Sequence, residues 1–181
     1  DANTFVPQMN KEDIESLRKV SLLNLESLPL PEPISKDVIG IVNAVRRNIG
    51  VNKFLFEGAP GTGKTETTKQ ITRLLERELY IVDFEAIVDS KLGQTSKNIA
   101  SLFKEINSFS KPNRVVILFD EIDAIALNRL DTNDLREMGR ATSAILKGID
   151  SLNNEVVLIA TTNLFDVFDK ALIRRFDAVL N

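Results

Sequence analysis

The sequence predicts an α/β fold, a mostly parallel sheet with helices on both faces. Short apolar runs rich in β-branched and aromatic residues recur along the chain, and segments with helical periodicity separate them. One strand–loop–helix junction is more specific: Gly58-Ala59-Pro60-Gly61-Thr62-Gly63-Lys64-Thr65 matches the phosphate-cradling pattern GxxxxGK[ST] at every required position. Strands alternating with helices imply parallel pairing, because each parallel connection needs a crossover.

From the N-terminus, residues 1–8 are polar and carry no pattern. Ile14, Leu17 and Val20 or Ser21 then recur at helical spacing after a possible cap at Asn10, which predicts a short helix within 10–23. Leu28-Pro29-Leu30-Pro31-Glu32-Pro33 cannot extend it, since three prolines in five residues force extended geometry. This stretch reads as a linker, or as an arm packed on the main domain, and divides an N-terminal extension (residues 1–33) from a core (residues 34–181).

Ser35 is the expected cap of a helix over 36–48, with Val38, Ile41, Val42 and Val45 on one face and Gly50 as its stop. Lys53 to Glu57 reads as a buried strand, and the helix after the glycine loop runs from Glu66 to about Glu78 with Ile71, Leu74 and Leu75 apolar. A second strand follows at Leu79 to Phe84, then a helix over 96–108 with Ile99, Leu102, Phe103 and Ile106 as its stripe. Val115-Val116-Ile117-Leu118-Phe119 is a continuous apolar run, as expected of a strand covered on both faces, and it ends in Asp120-Glu121. A helix over 134–148, a strand at Val156 to Ala160 and a last strand within 176–180 complete the pattern.

With 181 residues the chain suffices for one α/β domain and an extension, burying roughly 70% of its unfolded surface. No apolar run approaches the ~20 residues of a membrane span, so a soluble, cytoplasmic protein without membrane partners is expected. A net charge of −3 argues against a broad electrostatic grip on nucleic acid, though it leaves room for a local basic patch. Cysteine is absent, which excludes disulfides and thiolate nucleophiles and is compatible with a reducing compartment. Histidine is absent as well, so proton chemistry falls to carboxylates or lysines. The chain starts without methionine and stops directly after a strand-like run, which points to a piece of a longer protein, and no signal peptide is visible.

Glycines at 58, 61 and 63 allow several peptide N–H groups to turn toward one point with no Cβ in the way. The helix that follows adds its positive end, Lys64 reaches β- and γ-phosphates, and the Thr65 hydroxyl can ligate Mg²⁺. A glycine-rich turn with a chance lysine is the bland alternative. An acidic pair at the end of a buried strand is costly unless it has a task or a cation. Asp120 suits Mg²⁺ through water, and Glu121, one step nearer the γ-phosphate, suits a general base for the attacking water. Alternatively Asp120, Glu121 and Asp123 cap the next helix.

The chain resembles the AAA+ ATPases, specifically the AAA clade of protein remodellers. Four segments carry the resemblance: Gly58 to Thr65 as Walker A, Val115 to Glu121 with Ile122-Asp123-Ala124 as Walker B, Ala160-Thr161-Thr162-Asn163 as the sensor-1 strand, and Asp169 to Asp177 as the second region of homology. The resemblance implies a P-loop NTPase-type three-layer αβα sandwich that binds ATP with Mg²⁺. It also implies that Asn163 hydrogen-bonds the lytic water or the γ-phosphate, and that Arg174 and Arg175 act in trans on a neighbour's ATP within a homo-oligomer, a hexameric ring when full length. The alternative for the arginine pair is a solvated surface.

Two features depart from the family. Its pore loop carries an aromatic before a glycine, whereas Ser90-Lys91-Leu92-Gly93-Gln94 offers lysine and leucine. Its helical lid follows the core, and no residue after Asn181 supplies one here, so weak nucleotide binding is expected of this chain alone. Asp37-Val38-Ile39-Gly40 looks like the family's segment beside the base. The expected function is ATP hydrolysis coupled to remodelling of a protein. The alternatives are an ATPase acting on nucleic acid, a nucleotide-gated scaffold with little turnover, and a small-molecule kinase.

Overall fold

A computed structural model describes residues 17–20, 32–58, 63–88, 93–123, 125, 135–163 and 170–181. In chain order these form β1 (Leu17–Val20), α1 (Glu32–Arg46), β2 (Lys53–Glu57), α2 (Lys64–Leu74), β3 (Glu78–Asp83) and α3 (Phe84–Ile87). There follow α4 (Gln94–Ile106), a 3-10 turn at Pro112–Arg114, β4 (Val115–Asp120), α5 (Leu135–Asp150), β5 (Val157–Thr162), α6 (Lys170–Arg174) and β6 (Ala178–Leu180). The strands make one sheet in the order β1-β3-β4-β5-β2-β6, with β1 antiparallel to β3 and the other five parallel.

Strand period fixes the layers. Along β4, Val116 and Leu118 pack with Leu79, Ile81, Val157 and Ile159 beneath Val38, Ile41 and Val42 of α1 and Ile71 of α2. Ile117 and Phe119, on the opposite face, pack with Tyr80, Val82, Leu158 and Ala160 against Ile99, Leu102 and Phe103 of α4 and Ile145 and Ile149 of α5. Both faces are covered, which is why the central strands read as unbroken apolar runs. The αβα sandwich expected from the sequence is the fold observed.

Three local expectations are corrected. Leu17–Val20 is an edge strand rather than part of a helix, with Leu17 opposite Val82 and Val20 opposite Leu79. Beyond β3 the sheet offers a row of unpaired backbone groups, and pairing with it overrides a spacing signal of three residues. The remainder of the expected 10–23 helix lies outside the described residues. Glu32 and Pro33 belong to α1 rather than to the linker. Proline is tolerated in a first helical turn, where no intrahelical N–H bond is lost, and Ser35 therefore sits inside that turn. Finally, α2 stops at Leu74, before Glu78. Glu76 adopts φ 56°, with its N–H bonded to Arg73 O at 3.0 Å and that of Arg77 to Thr72 O at 3.1 Å. This is a Schellman closure without glycine.

Gly148 sets the approach of α5 to α4. A Cβ there would lie 2.0 Å from Cδ2 and 2.4 Å from Cγ of Phe103. That ring is buried and held edge-on against Phe119 at 5.6 Å, so it has little room to yield. Gly148→Ala is expected to cost about 1–3 kcal/mol through overpacking, outweighing a helix-propensity gain of ~1 kcal/mol. Urea unfolding would show a lower midpoint with an unchanged slope.

Tyr80, the chain's single tyrosine, is buried on β3. Burial, reinforced by Glu78, raises its phenol from 10.0 to about 12. Because the fold favours the neutral phenol, this contribution to stability is intact below pH 10 and is lost as the pH climbs through about 12. Spectrophotometric titration should place the native phenolate transition near 12 and the urea-unfolded one near 10.

Candidate functional site

Inserting β5 between β2 and β4 brings three strand tips together. The tip of β5, Thr161-Thr162-Asn163, thereby contacts the start of the glycine loop on one side and the acidic pair on the other. Gly58 N donates to Thr162 O at 3.2 Å. Gly58 and Gly63 have φ of 151° and 82°, values that L side chains rarely adopt. Gly63 caps α2, whose first residue is Lys64, so the first-turn N–H groups open toward the loop. Ala59, Pro60, Gly61 and Thr62 lie outside the described residues; Thr65 is half-buried in the first turn.

Lys64 Nζ donates to Gly58 O at 2.5 Å, to Thr162 O at 3.1 Å and to Asn163 Oδ1. All three ammonium protons are used, and the lysine bridges the ends of β2 and β5. Burial pulls its pKa below the ordinary lysine range, against the opposing influence of Asp123, Asp120 and Glu121. Among the described residues its hydrogen-bond acceptors are all neutral, and a phosphate arriving at the loop would supply an anionic one.

Period two carries Asp120 onto the α2 face that Val116 and Leu118 share. Its Oδ1 accepts a hydrogen bond from Thr161 Oγ1 at 2.9 Å. The chain then turns sharply. Glu121 N donates to Thr161 Oγ1 at 2.9 Å and Ile122 N to Thr161 O at 3.0 Å. Glu121 itself is exposed and has φ 53°, an uncommon value for a non-glycine residue. Asp123 is buried, and among the described residues its Oδ1 has no hydrogen-bond partner. Glu121 to Asp123 form a turn; apart from Ile125, residues 124–134, which a cap would serve, lie outside the described residues.

Beside the loop lies a cavity of about 240 Å³, walled by Ile34, Val38 and Ile41 of α1, Phe56 of β2 and Leu180 of β6, and reaching Lys64. Asp37 and Val38, singled out by sequence, line it; Ile39 and Gly40 are exposed. An apolar cavity that reaches a basic side chain suits a heterocycle attached to an anion.

The arginine pair lies apart from this cluster. Arg175 is tied to Asp150 by Nε at 3.2 Å and Nη2 at 3.4 Å, and Nη1 donates to Ala171 O at 3.1 Å. Arg174 is exposed. Among the described residues neither makes a hydrogen bond or ion pair with the loop, Lys64 or the acidic pair. Asp177, two residues on, fastens this segment to β2 by accepting N–H bonds from Asn52 and Lys53, both at 2.9 Å. Ser90, Lys91 and Leu92 lie outside the described residues, and Gly93 caps α4, which Gln94 begins.

Sequence reasoning placed Thr161 in the sensor-1 strand without a role of its own, and missed the Asp150 tether and most of the cavity wall. For Thr161 a signal existed: an unbroken apolar run that changes to Thr-Thr at its tip.

A parallel sheet whose glycine loop and acidic strand end meet across an inserted strand defines the P-loop NTPase class of α/β proteins. Comparison with known proteins narrows the class. Residues 54–181 match the family model for the ATPase family associated with various cellular activities (AAA), and the chain belongs to that family. It is 37% identical over 129 residues to an uncharacterized AAA family ATPase, y4kL, of Sinorhizobium fredii, covering 71% of this chain and 38% of that protein. It is 32% identical over 183 residues to the peroxisomal ATPase PEX6 of Arabidopsis thaliana, covering 97% of this chain and 18% of that one. The chain thus spans well under half the length of these relatives. A chain in the solved E. coli MS115-1 HORMA:CdnC:Trip13 complex shares the fold, with TM-score 0.62, 20% identity and coverage of 82% of this chain and 60% of that one. Among the described residues no helix is long and apolar enough to cross a membrane.

Proposed function

We propose that this chain is the nucleotide-binding core of a cytoplasmic ATP-hydrolysing machine that works as a homo-oligomeric, hexameric ring and remodels a protein. The reading is supported above all by one cluster: Lys64, the glycines beside it, Asp120-Glu121 and Asn163 meet at adjoining strand tips. Phosphates would lie on residues 58–63 with Lys64 against the β- and γ-groups, and the adenine in the slot beside α1. Thr65 and Asp120 offer the hard oxygen donors that Mg²⁺ prefers. Mg²⁺, when bound, neutralises charge on the phosphate oxygens.

Glu121 is the residue for taking a proton from the attacking water, since a chain without histidine leaves carboxylates for that task. Asn163, which accepts a hydrogen bond from Lys64, would orient water or the γ-phosphate beside that lysine. Arg174 and Arg175 act on a neighbour's nucleotide, where a guanidinium suits the charge of a transferring phosphoryl group. Protein is preferred over nucleic acid as substrate because the net charge of −3 gives no broad attraction to a polyanion.

Mixing experiments test the ring. Full-length Glu121→Gln and Arg174→Ala chains should each fail to release phosphate, whereas a mixture should regain turnover at interfaces pairing an intact Glu121 with an intact Arg174. A mixture as inactive as its components would overturn action in trans.

A further inference from the structure

We infer that Thr161 is a positioning residue for ATP hydrolysis, its hydroxyl joining the Asp120 carboxylate to the backbone of Glu121; the inference rests on the reading of Glu121 as general base. Three observations converge on it. Thr161 is 1% exposed, at a place in β5 where Val157, Leu158, Ile159 and Ala160 have set an apolar run and an apolar residue would serve packing equally well. Its Oγ1 lies 2.9 Å from both Asp120 Oδ1 and Glu121 N. Its own carbonyl accepts from Ile122 N at 3.0 Å, so one residue holds three successive positions of the turn.

The direction of the bonds follows from the partners. A peptide N–H can only donate, so Thr161 Oγ1 accepts from Glu121, and the single hydroxyl proton is left for Asp120. One hydroxyl thereby fixes one carboxylate oxygen of Asp120, leaving the other for the nucleotide side. It also fixes the peptide that sets where the Glu121 side chain starts. That peptide belongs to a residue at φ 53°, a conformation that persists only when its surroundings over-determine it. With the hydroxyl removed, the Glu121 N–H loses this acceptor and the turn can relax toward ordinary dihedrals. The carboxylate would then leave the water's line of attack, while the loop and Lys64, which bind the phosphates, stay in place.

The test is kinetic and structural, on the full-length protein. Thr161→Val, nearly isosteric, should lower kcat by about 10- to 100-fold with KM for ATP within about threefold, and Thr161→Ser should restore kcat. Thr161→Ala, with no branched side chain to misfit, should repeat the loss if the valine variant folds poorly. In nucleotide-free protein, amide exchange at Glu121 should be at least about tenfold faster in the valine and alanine variants than in wild type or the serine variant. Wild-type kcat in both the valine and alanine variants, or unchanged exchange at Glu121, would overturn the inference while leaving the ATPase reading untouched. Absence of hydrolysis by the wild type would remove that reading and the inference with it.

Discussion

Full-length chains carrying Glu121→Gln are expected to bind Mg·ATP as tightly as wild type and to release phosphate about 10²–10⁴-fold more slowly, the usual contribution of a general base. The substitution is nearly isosteric and leaves the Glu121 N–H bond to Thr161 in place, so the strained turn should survive it. It removes only the capacity to accept a full proton. With no histidine in the chain, a substitute among the described residues would be another carboxylate, Asp120 and Asp123 being the nearest in sequence. The first is engaged by Thr161 and assigned to the cation, and the second is buried. Phosphate release measured beside equilibrium binding separates the two effects. Turnover retained in the glutamine variant would take Glu121 out of the base role.

Lys64→Ala should act on the other half of the cycle, weakening ATP binding by about 100-fold or more, since each charge-assisted bond to a phosphate contributes on the order of 1.5–3 kcal/mol. The fold should tolerate it. The acceptors released are the Gly58 and Thr162 carbonyls and Asn163 Oδ1, at a site where water can replace the ammonium. Equilibrium dialysis with labelled ATP reads the affinity, and circular dichroism checks the fold. Binding at wild-type strength in the alanine variant would mean that the phosphates sit elsewhere.

How much of this was legible in the sequence depends on how local the cause is. The phosphate loop was readable because its chemistry lies in eight consecutive residues, and β4 because burial on both faces leaves an unbroken apolar run. The position of β5 between β2 and β4 was not readable, since strand order is set by which crossovers pack and leaves no mark on the strands themselves. The Lys64–Asn163 contact and the Thr161 bridge were therefore hidden, whereas the meeting of the loop, the acidic pair and Asn163 at one phosphate was expected only through the family resemblance. The base slot was half legible, because Asp37 and Val38 stood out while Phe56 and Leu180 reach it from strands distant in sequence. At the N-terminus, four residues contain too little periodicity to distinguish helix from strand, and the free edge of β3 decided the matter. Glu76 ended α2 in a conformation that a glycine would have announced.

Calorimetric titration of Mg·ATP into the full-length protein tests most directly whether these strand tips form a nucleotide site. One saturable site per chain is expected, with Kd on the order of 1–100 μM, and with the heat lost in Lys64→Ala. Titration of the folded, full-length wild type without saturable heat at millimolar Mg·ATP, or with heat that survives the loss of Lys64, would contradict it.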